Sequence, residues 1–291
     1  MDAGNPGPHA AVHHVPPPRA APMSSSSSRL PLLLALGIAN ALLLPAQARA
    51  ADDVPTDGDR KVNIALGVGG QYLPGWLGSG QRQWQTVPFF DIEMPGVGEL
   101  SSTDGLTLHL PHDGPWEAGI YGDYLWGRSR SDLGPRLAGK IPSLSPRVHG
   151  GVYAEYQFDG HSALGARLGH DLTGNSAYLA AYYDRDLPQV WYIQHSVELG
   201  WRGMNRAAMN RYFGVSAQSA TQLQTDAWSP GSGSQQLSAN YSAFVPTSQH
   251  TGFAFSLDYS RLLGGAASSP LVRQFGSRNQ LEESIAFVYH F

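Results

Sequence analysis

A histidine beside a carboxylate would let this chain act as a general base, and a hydroxyl next to the pair would make a hydrolase. Beyond the first residues the histidines are His109, His112, His149, His161, His170, His195, His250 and His290, scattered along the chain. His170 and Asp171 adjoin, but neighbours on an extended strand face opposite sides and cannot pair directly. His195 falls between Ile193 and Val197 on an apolar register, the place of an interfacial or bulged residue rather than a base. No G-x-S-x-G elbow and no H-E-x-x-H pair occurs. There is no cysteine, which removes disulfides and thiolate metal ligands. No catalytic, cofactor or metal residue is assigned, and the chain reads as a non-enzyme.

The charges are better placed than the histidines. Glu117, Asp123, Glu155, Arg167, Asp171, Asp184, Asp186, Glu198, Arg202 and Asp258 all fall on the polar side of alternating segments. One reading is a solvated, salt-bridged interior. The functional alternative is a small pore favouring cations, because carboxylates outnumber arginines there. A metal site is the remaining, weakest reading.

The elements that hold these charges alternate with a period of two. Val62, Ile64, Leu66, Val68 and Tyr72 share one face, with Asn63, Gly67 and Gln71 on the other. Trp116, Ile120 and Tyr124 oppose Glu117, Tyr121 and Asp123, and Phe253, Phe255, Leu257 and Tyr259 oppose Ser256 and Asp258. Two architectures produce such strands, a soluble sandwich and a membrane barrel. Segments of about 10–13 residues match a tilted spanning strand. Aromatics sit at segment ends, as in Trp116/Trp126 and Trp191/Trp201, where interfacial girdles belong. The polar faces carry more ionisable groups than a small packed core tolerates.

The expected fold is therefore all-β, an antiparallel transmembrane barrel. Strands are predicted at 62–72, 83–93, 97–102, 104–110, 115–126, 147–158, 161–171, 176–187, 190–202, 236–245, 251–263 and 280–291. That makes about twelve, or ten if the hairpin at Asp104-Gly105 does not span. The periplasmic turns are then short, at 94–96, 111–114, 159–160, 188–189 and 246–250. The long connections 127–146, 203–235 and 264–279 all fall outside. The last of the strands ends Phe287-Val288-Tyr289-His290-Phe291. Phe287, Tyr289 and Phe291 resemble the signal read by the outer-membrane barrel assembly machinery, with outer-membrane lipid as the other expected partner.

The ends and totals agree with export. Residues 1–22 show no periodicity, and Met23 opens a serine run, Arg29 and an apolar stretch from Leu30 to Leu44, followed by Ala48-Arg49-Ala50. This is a secretory signal peptide, with cleavage expected after Ala50 and Met23 a candidate true start. Residues 1–50 are then an extension plus signal, 51–61 a short periplasmic lead, and 62–291 the barrel of a Gram-negative outer membrane. After Leu44 no apolar run reaches the roughly 20 residues of a membrane helix. Net charge is −4 and the lysines are only Lys61 and Lys140, which argues against nucleic acid as a partner.

Four blocks, in order along 62–291, carry a family likeness. They are Tyr72-Leu73-Pro74-Gly75-Trp76-Leu77-Gly78-Ser79, then Tyr212-Phe213-Gly214-Val215-Ser216, then Arg261 to Gly264 with Ser269-Pro270-Leu271-Val272, and the terminal Tyr289-His290-Phe291. Together they resemble the MipA/OmpV family, the MltA-interacting outer-membrane proteins. The first block departs from the family's Pro-x-Tyr-x-Gly-Ser-Asp pattern at Trp76 and Gly80, in what reads as a surface loop. The resemblance implies a scaffold tying a lytic transglycosylase to a murein synthase. Other members are described as adhesins or as antigens linked to stress. The long loop 203–235 is a candidate lumen plug, with Tyr212–Ser216 expected to pack rather than bind a ligand.

Overall fold

The computed structural model describes residues 62–102, 105–111 and 114–291. The leader, the cut after Ala50 and the lead 51–61 lie outside the described residues. Twelve strands form one closed antiparallel barrel in which each strand pairs with its sequence neighbours and the first pairs with the last. They are β1 Asn63–Pro74, β2 Arg82–Met94, β3 Gly98–Ser101, β4 Gly105–His109, β5 Trp116–Leu125 and β6 Arg147–Asp159. β7 Ser162–Asp171, β8 Ala177–Asp186, β9 Gln194–Met204, β10 Gly233–Pro246, β11 Thr251–Leu262 and β12 Asn279–His290 complete the wall.

Alternation dictates the two faces. Leu66, Val68, Ile120, Val152, Leu168 and Ile285 stand exposed on the outside, while Asp91, His149, Asp171, Glu198 and Asp258 are buried inside. A water-soluble sheet would bury the first set, so this exposed apolar band is the surface a bilayer covers. Aromatic pairs mark its edges. Trp116 meets Tyr156 at 4.9 Å and Tyr156 meets Phe158 at 5.1 Å on the turn side. Tyr72 stacks on Trp84 at 5.2 Å and Tyr124 meets Trp126 at 4.7 Å on the loop side.

The short hairpin β3–β4 is part of the wall, so the count is twelve rather than ten. It is stunted, however, pairing with only the lower part of β2. The ninth strand starts later than the sequence suggests. Val190 and Ile193 exchange backbone hydrogen bonds at 3.2 and 2.9 Å, closing a local turn. Trp191 sits in that turn at φ 58° and is 88% exposed, so it belongs to no strand. An apolar run of three residues mimicked a strand start, but the local backbone bonds end the chain's extension.

The three long connections are structured. They hold α1 Gly134–Leu137, α2 Arg206–Phe213, α3 Ala217–Leu223, α4 Gly264–Ser268 and α5 Pro270–Phe275. Their starts follow capping chemistry. Asn205 accepts from Ala208 N at 2.9 Å, Ser216 from Ser219 N at 3.1 Å and Ser269 from Leu271 N at 3.3 Å. Pro270 occupies the first helical turn, where its missing N–H costs nothing.

Candidate functional site

Two parts of the molecule could act, the lumen wall and the loop assembly above it. In the wall, Glu117 on β5 takes hydrogen bonds from its neighbours on β4 and β6. Its Oε1 lies 2.6 Å from His109 Nδ1 and accepts from the Tyr153 hydroxyl at 2.8 Å. Glu155 accepts from the Tyr182 hydroxyl at 3.0 Å. Arg167 lies over the rings of Tyr121 and Tyr182, at 5.4 and 5.6 Å from their centroids. Asp171 accepts from Arg147 at 2.6 Å and from the Tyr178 hydroxyl at 3.2 Å.

Strand register aligns the remaining charges. Asp184, Glu198, Asn240, Asp258 and Glu282 form one row across five strands, each opposite the next. Asp123 stands opposite His149, and His149 opposite Asp171. Arg167 and Arg202 both stand opposite Ala180, one on each side. Asp186 lies at the turn end of β8. Among the described residues no group of His, Cys, Asp or Glu is arranged to hold a metal ion. His109, Glu93, Glu99 and Glu282 share the inward face and were not picked out from the sequence. The signal was available, since each stands beside an outward apolar residue of its own strand, Leu108, Ile92, Leu100 and Leu281 in turn.

The histidines come together little. His170 is exposed on the outside and its Nδ1 lies 2.7 Å from the backbone oxygen of Asp171. His195 bridges Pro188 O at 2.9 Å and the Tyr241 hydroxyl at 3.2 Å on the outer surface near the turn end. On the same end Phe287, Tyr289 and Phe291 face outward, and Tyr289 meets Phe291 at 4.9 Å.

The opposite end is roofed. Leu133, Leu137 and Ile141 from the first long connection join Met209, Phe213 and Leu223 from the second. Ala266, Leu271 and Val272 from the third and Trp76 and Leu77 from the β1–β2 turn complete one apolar cluster. These segments leave the wall at points around its circumference, so a cluster common to all of them crosses the mouth. Polar ties link them. Arg128 donates to Tyr212 O at 2.9 Å, Ser269 to Phe213 O at 2.7 Å, and Ser277 N to Gly78 O at 2.8 Å. Gln280 from β12 accepts from Gly78 N at 3.0 Å and donates to Ser79 O at 3.2 Å. Burial lowers the Arg128 guanidinium to about 10, so it stays charged at neutral pH, with Tyr212 opposing the shift and Arg211 adding to it.

The motif residues Pro74, Trp76, Gly78, Ser79, Tyr212, Phe213, Gly214, Ser269 and Pro270 therefore converge on the roof. Trp76 is 2% exposed, which corrects its reading as a surface-loop residue. Its ring is drawn in because the roof offers apolar cover from three other loops, a fact that no local pattern encodes. Gly78 has φ +102°, and a Cβ there would lie 2.8 Å from Val272 Cγ2. A Cβ on Gly276 would lie 1.9 Å from Gly78 O, so the two backbones touch only because residue 276 is glycine.

Beneath the roof lies a cavity of about 540 Å³, lined from every strand but β11 and including Val87, Phe89, Tyr121, His149, Arg167 and Arg202. The chamber is lined mostly by apolar surface, with Asp123, His149, Arg167, Glu198 and Arg202 among its polar groups.

A family model described as "MltA-interacting protein MipA" matches residues 66–291. Among curated proteins none matches the chain. Solved structures with a similar shape include a bacterial polysaccharide outer membrane secretin, 7% identical, with TM-score 0.39, 81% of this chain and 99% of that chain covered. An anion-selective porin from Comamonas acidovorans is 7% identical, with TM-score 0.37 and 79% and 99% covered. The outer membrane protein OprD from Pseudomonas aeruginosa is 12% identical, with TM-score 0.32 and 78% and 59% covered. At these scores the likeness bears on neither function nor substrate.

Proposed function

The chain belongs to the MltA-interacting protein MipA family, and we propose that it is a non-enzymatic outer-membrane barrel that holds murein-processing enzymes at the membrane. The carrying observation is the family match over 66–291, since the family is named for interaction with MltA, a lytic transglycosylase. The closed wall with its apolar outer band supports the membrane placement. A murein synthase is the second enzyme proposed to join. Export through a leader ending at Ala50, and assembly through Phe287, Tyr289 and Phe291, belong to the same proposal.

The geometry favours the periplasmic end as the docking face. The turn 187–193 presents Val190, Trp191 and Tyr192, all exposed, with Tyr192 at 77%. Exposed aromatics are the residues that anchor protein interfaces. The roof weighs against the pore reading, because it packs apolar side chains from four segments across the outer mouth. An adhesin role would use the outer faces of α1–α5.

A photo-reactive amino acid at Tyr192 in intact cells tests the scaffold. The expected product is a cross-link to a lytic transglycosylase, lost when the reactive group is moved to the roof at Gln218. Cross-links only to assembly factors would overturn the scaffold, and stepwise conductance of purified protein in a planar bilayer would restore the pore.

A further inference from the structure

We propose that the outer rim of the barrel, where β11 and β12 meet the roof, is a phosphate-binding corner at which Arg136, Arg261, Arg273 and Arg278 hold the phosphorylated headgroup of an outer-leaflet lipid. The inference goes beyond the scaffold role and rests only on the membrane placement of the barrel. It begins with how charge divides between lumen and roof. Carboxylates dominate the inner wall, in the row that runs through Asp184, Glu198, Asp258 and Glu282. The three long connections are the reverse. They expose Arg130, Arg136, Lys140, Arg206, Arg273 and Arg278, and their acids are Asp132 and Asp226. Among the described residues none of these six cations forms an ion pair. The outer end of the molecule is thus a basic surface whose counter-charge lies outside the chain.

The charges are held most firmly where the third long connection returns to the wall. Arg261 pairs with Asn279, and Leu262 N donates to Arg278 O at 2.8 Å, so Arg261 and Arg278 stand side by side at the top of β11 and β12. Arg278 Nε donates to Ala267 O at 3.2 Å, which fixes the guanidinium and leaves its Nη groups to solvent. From the first connection, Arg136 lies over the ring of Phe275 at 5.2 Å. Arg273 is exposed on α5, on the same short segment. Stacking and backbone bonds set these planar forks before any ligand arrives, so less freedom is lost on binding. The acids nearby are accounted for. Glu283 is held by Arg82 at 3.2 Å. Asp132 is buried and accepts from Gln83 at 3.1 Å and from Ser129 N at 2.6 Å. Asp226 adjoins Thr225, which accepts from Gln274 at 2.9 Å, and it is the acid that opposes an anion here.

Depth selects a lipid as the anion. Arg261 continues the exposed register of Phe255, Leu257 and Tyr259, one step above the tyrosine. Through Leu237 it shares a cross-strand row with Trp201. It therefore stands on the bilayer side of the wall at the height of the interfacial aromatics, where lipid headgroups lie. A soluble polymer spread over the mouth would not meet a side chain on that face. Nucleic acid finds no stacking platform either, because among the described residues the three connections expose no large apolar side chain. The corner is supplied by arginine alone, whose fork matches two oxygens of one phosphate.

The test is native mass spectrometry of the full protein released from phosphatidylcholine nanodiscs doped with lipid A, or with lipid A stripped of its phosphates. The wild type should retain the phosphorylated lipid and not the stripped one. Arg136→Gln/Arg261→Gln/Arg278→Gln should weaken retention roughly tenfold, while Arg206→Gln, at the top of β9 and away from the corner, should leave it unchanged. Asp226→Asn, which removes the opposing acid, should tighten it. Should the triple variant fail to assemble, Asp226→Asn decides alone: tighter binding supports the corner and unchanged binding overturns it. Equal retention of the stripped lipid would overturn phosphate recognition, and an equal loss in Arg206→Gln would replace the corner with diffuse surface charge. Displacement of lipid A by soluble alginate would assign the arginines to an acidic polysaccharide instead. Failure of the wild type to enter nanodiscs would sink the membrane placement, and the corner with it.

Discussion

Along β7, every second residue from Gly165 through Arg167 and Gly169 to Asp171 turns inward while Leu164, Ala166 and Leu168 turn out. Between Asn205 and Trp228 no such period survives, yet Phe213 and Ala208 are as buried as any residue in the molecule. The wall is held by backbone pairing, and its side chains are sorted by parity alone. The roof is held by side chains from four separate segments that share no backbone sheet. The wall therefore tolerates changes that keep parity, whereas the roof depends on particular shapes and on a few hydrogen bonds between loops.

The largest effect should come from Phe213→Ala. This fully buried ring sits at the centre of the roof, and its loss should cost about 3–5 kcal/mol there. Hydrogen exchange should accelerate across 127–146, 203–235 and 264–279 while strand amides keep their protection. Equal loss in both regions would mean that wall and roof unfold as one unit, and the contrast between them would fail.

Gly78→Ala is next, at about 1–3 kcal/mol. The backbone at φ +102° disfavours a side chain and the new methyl meets Val272. Limited proteolysis should cut the roof faster, and a gel mobility unchanged before heating would show the wall intact. Ser269→Ala removes the bond to Phe213 O and the cap on α5, about 1–2 kcal/mol together. A lower denaturant midpoint for a probe on the third long connection, with no change for a probe on β7, would sharpen the division.

The smallest effect belongs to the outer surface of the wall. Arg82 and Glu283 pair at 3.2 Å, but the glutamate side chain is 46% exposed, so Glu283→Gln should shift stability by less than about 1 kcal/mol. A melting temperature within error of the wild type is expected. A large drop would show that this pair pins β2 to β12 and that the wall too depends on particular side chains.

Much of the wall was legible because a strand's period is a local property. Glu117, Asp123, Glu155, Arg167, Asp184, Asp186, Glu198, Arg202 and Asp258 share one face by parity, and Asp184, Glu198 and Asp258 are buried in one register row. Trp191 misled because an apolar residue in a tight turn looks the same as one at a strand end. Trp76 misled for the converse reason, since a short turn between strands normally faces solvent.

The residue order alone thus determined most of the strands, their two faces and an antiparallel closure of ten or twelve strands, because each follows from alternation and from turn lengths between neighbours. Only the tertiary structure decided that three loops and the β1–β2 turn meet over the mouth, that three of the four motif blocks meet in that roof, and that β3 and β4 join the wall as short strands. Those outcomes depend on which distant surfaces touch once the barrel has closed, and no spacing within a single segment records that.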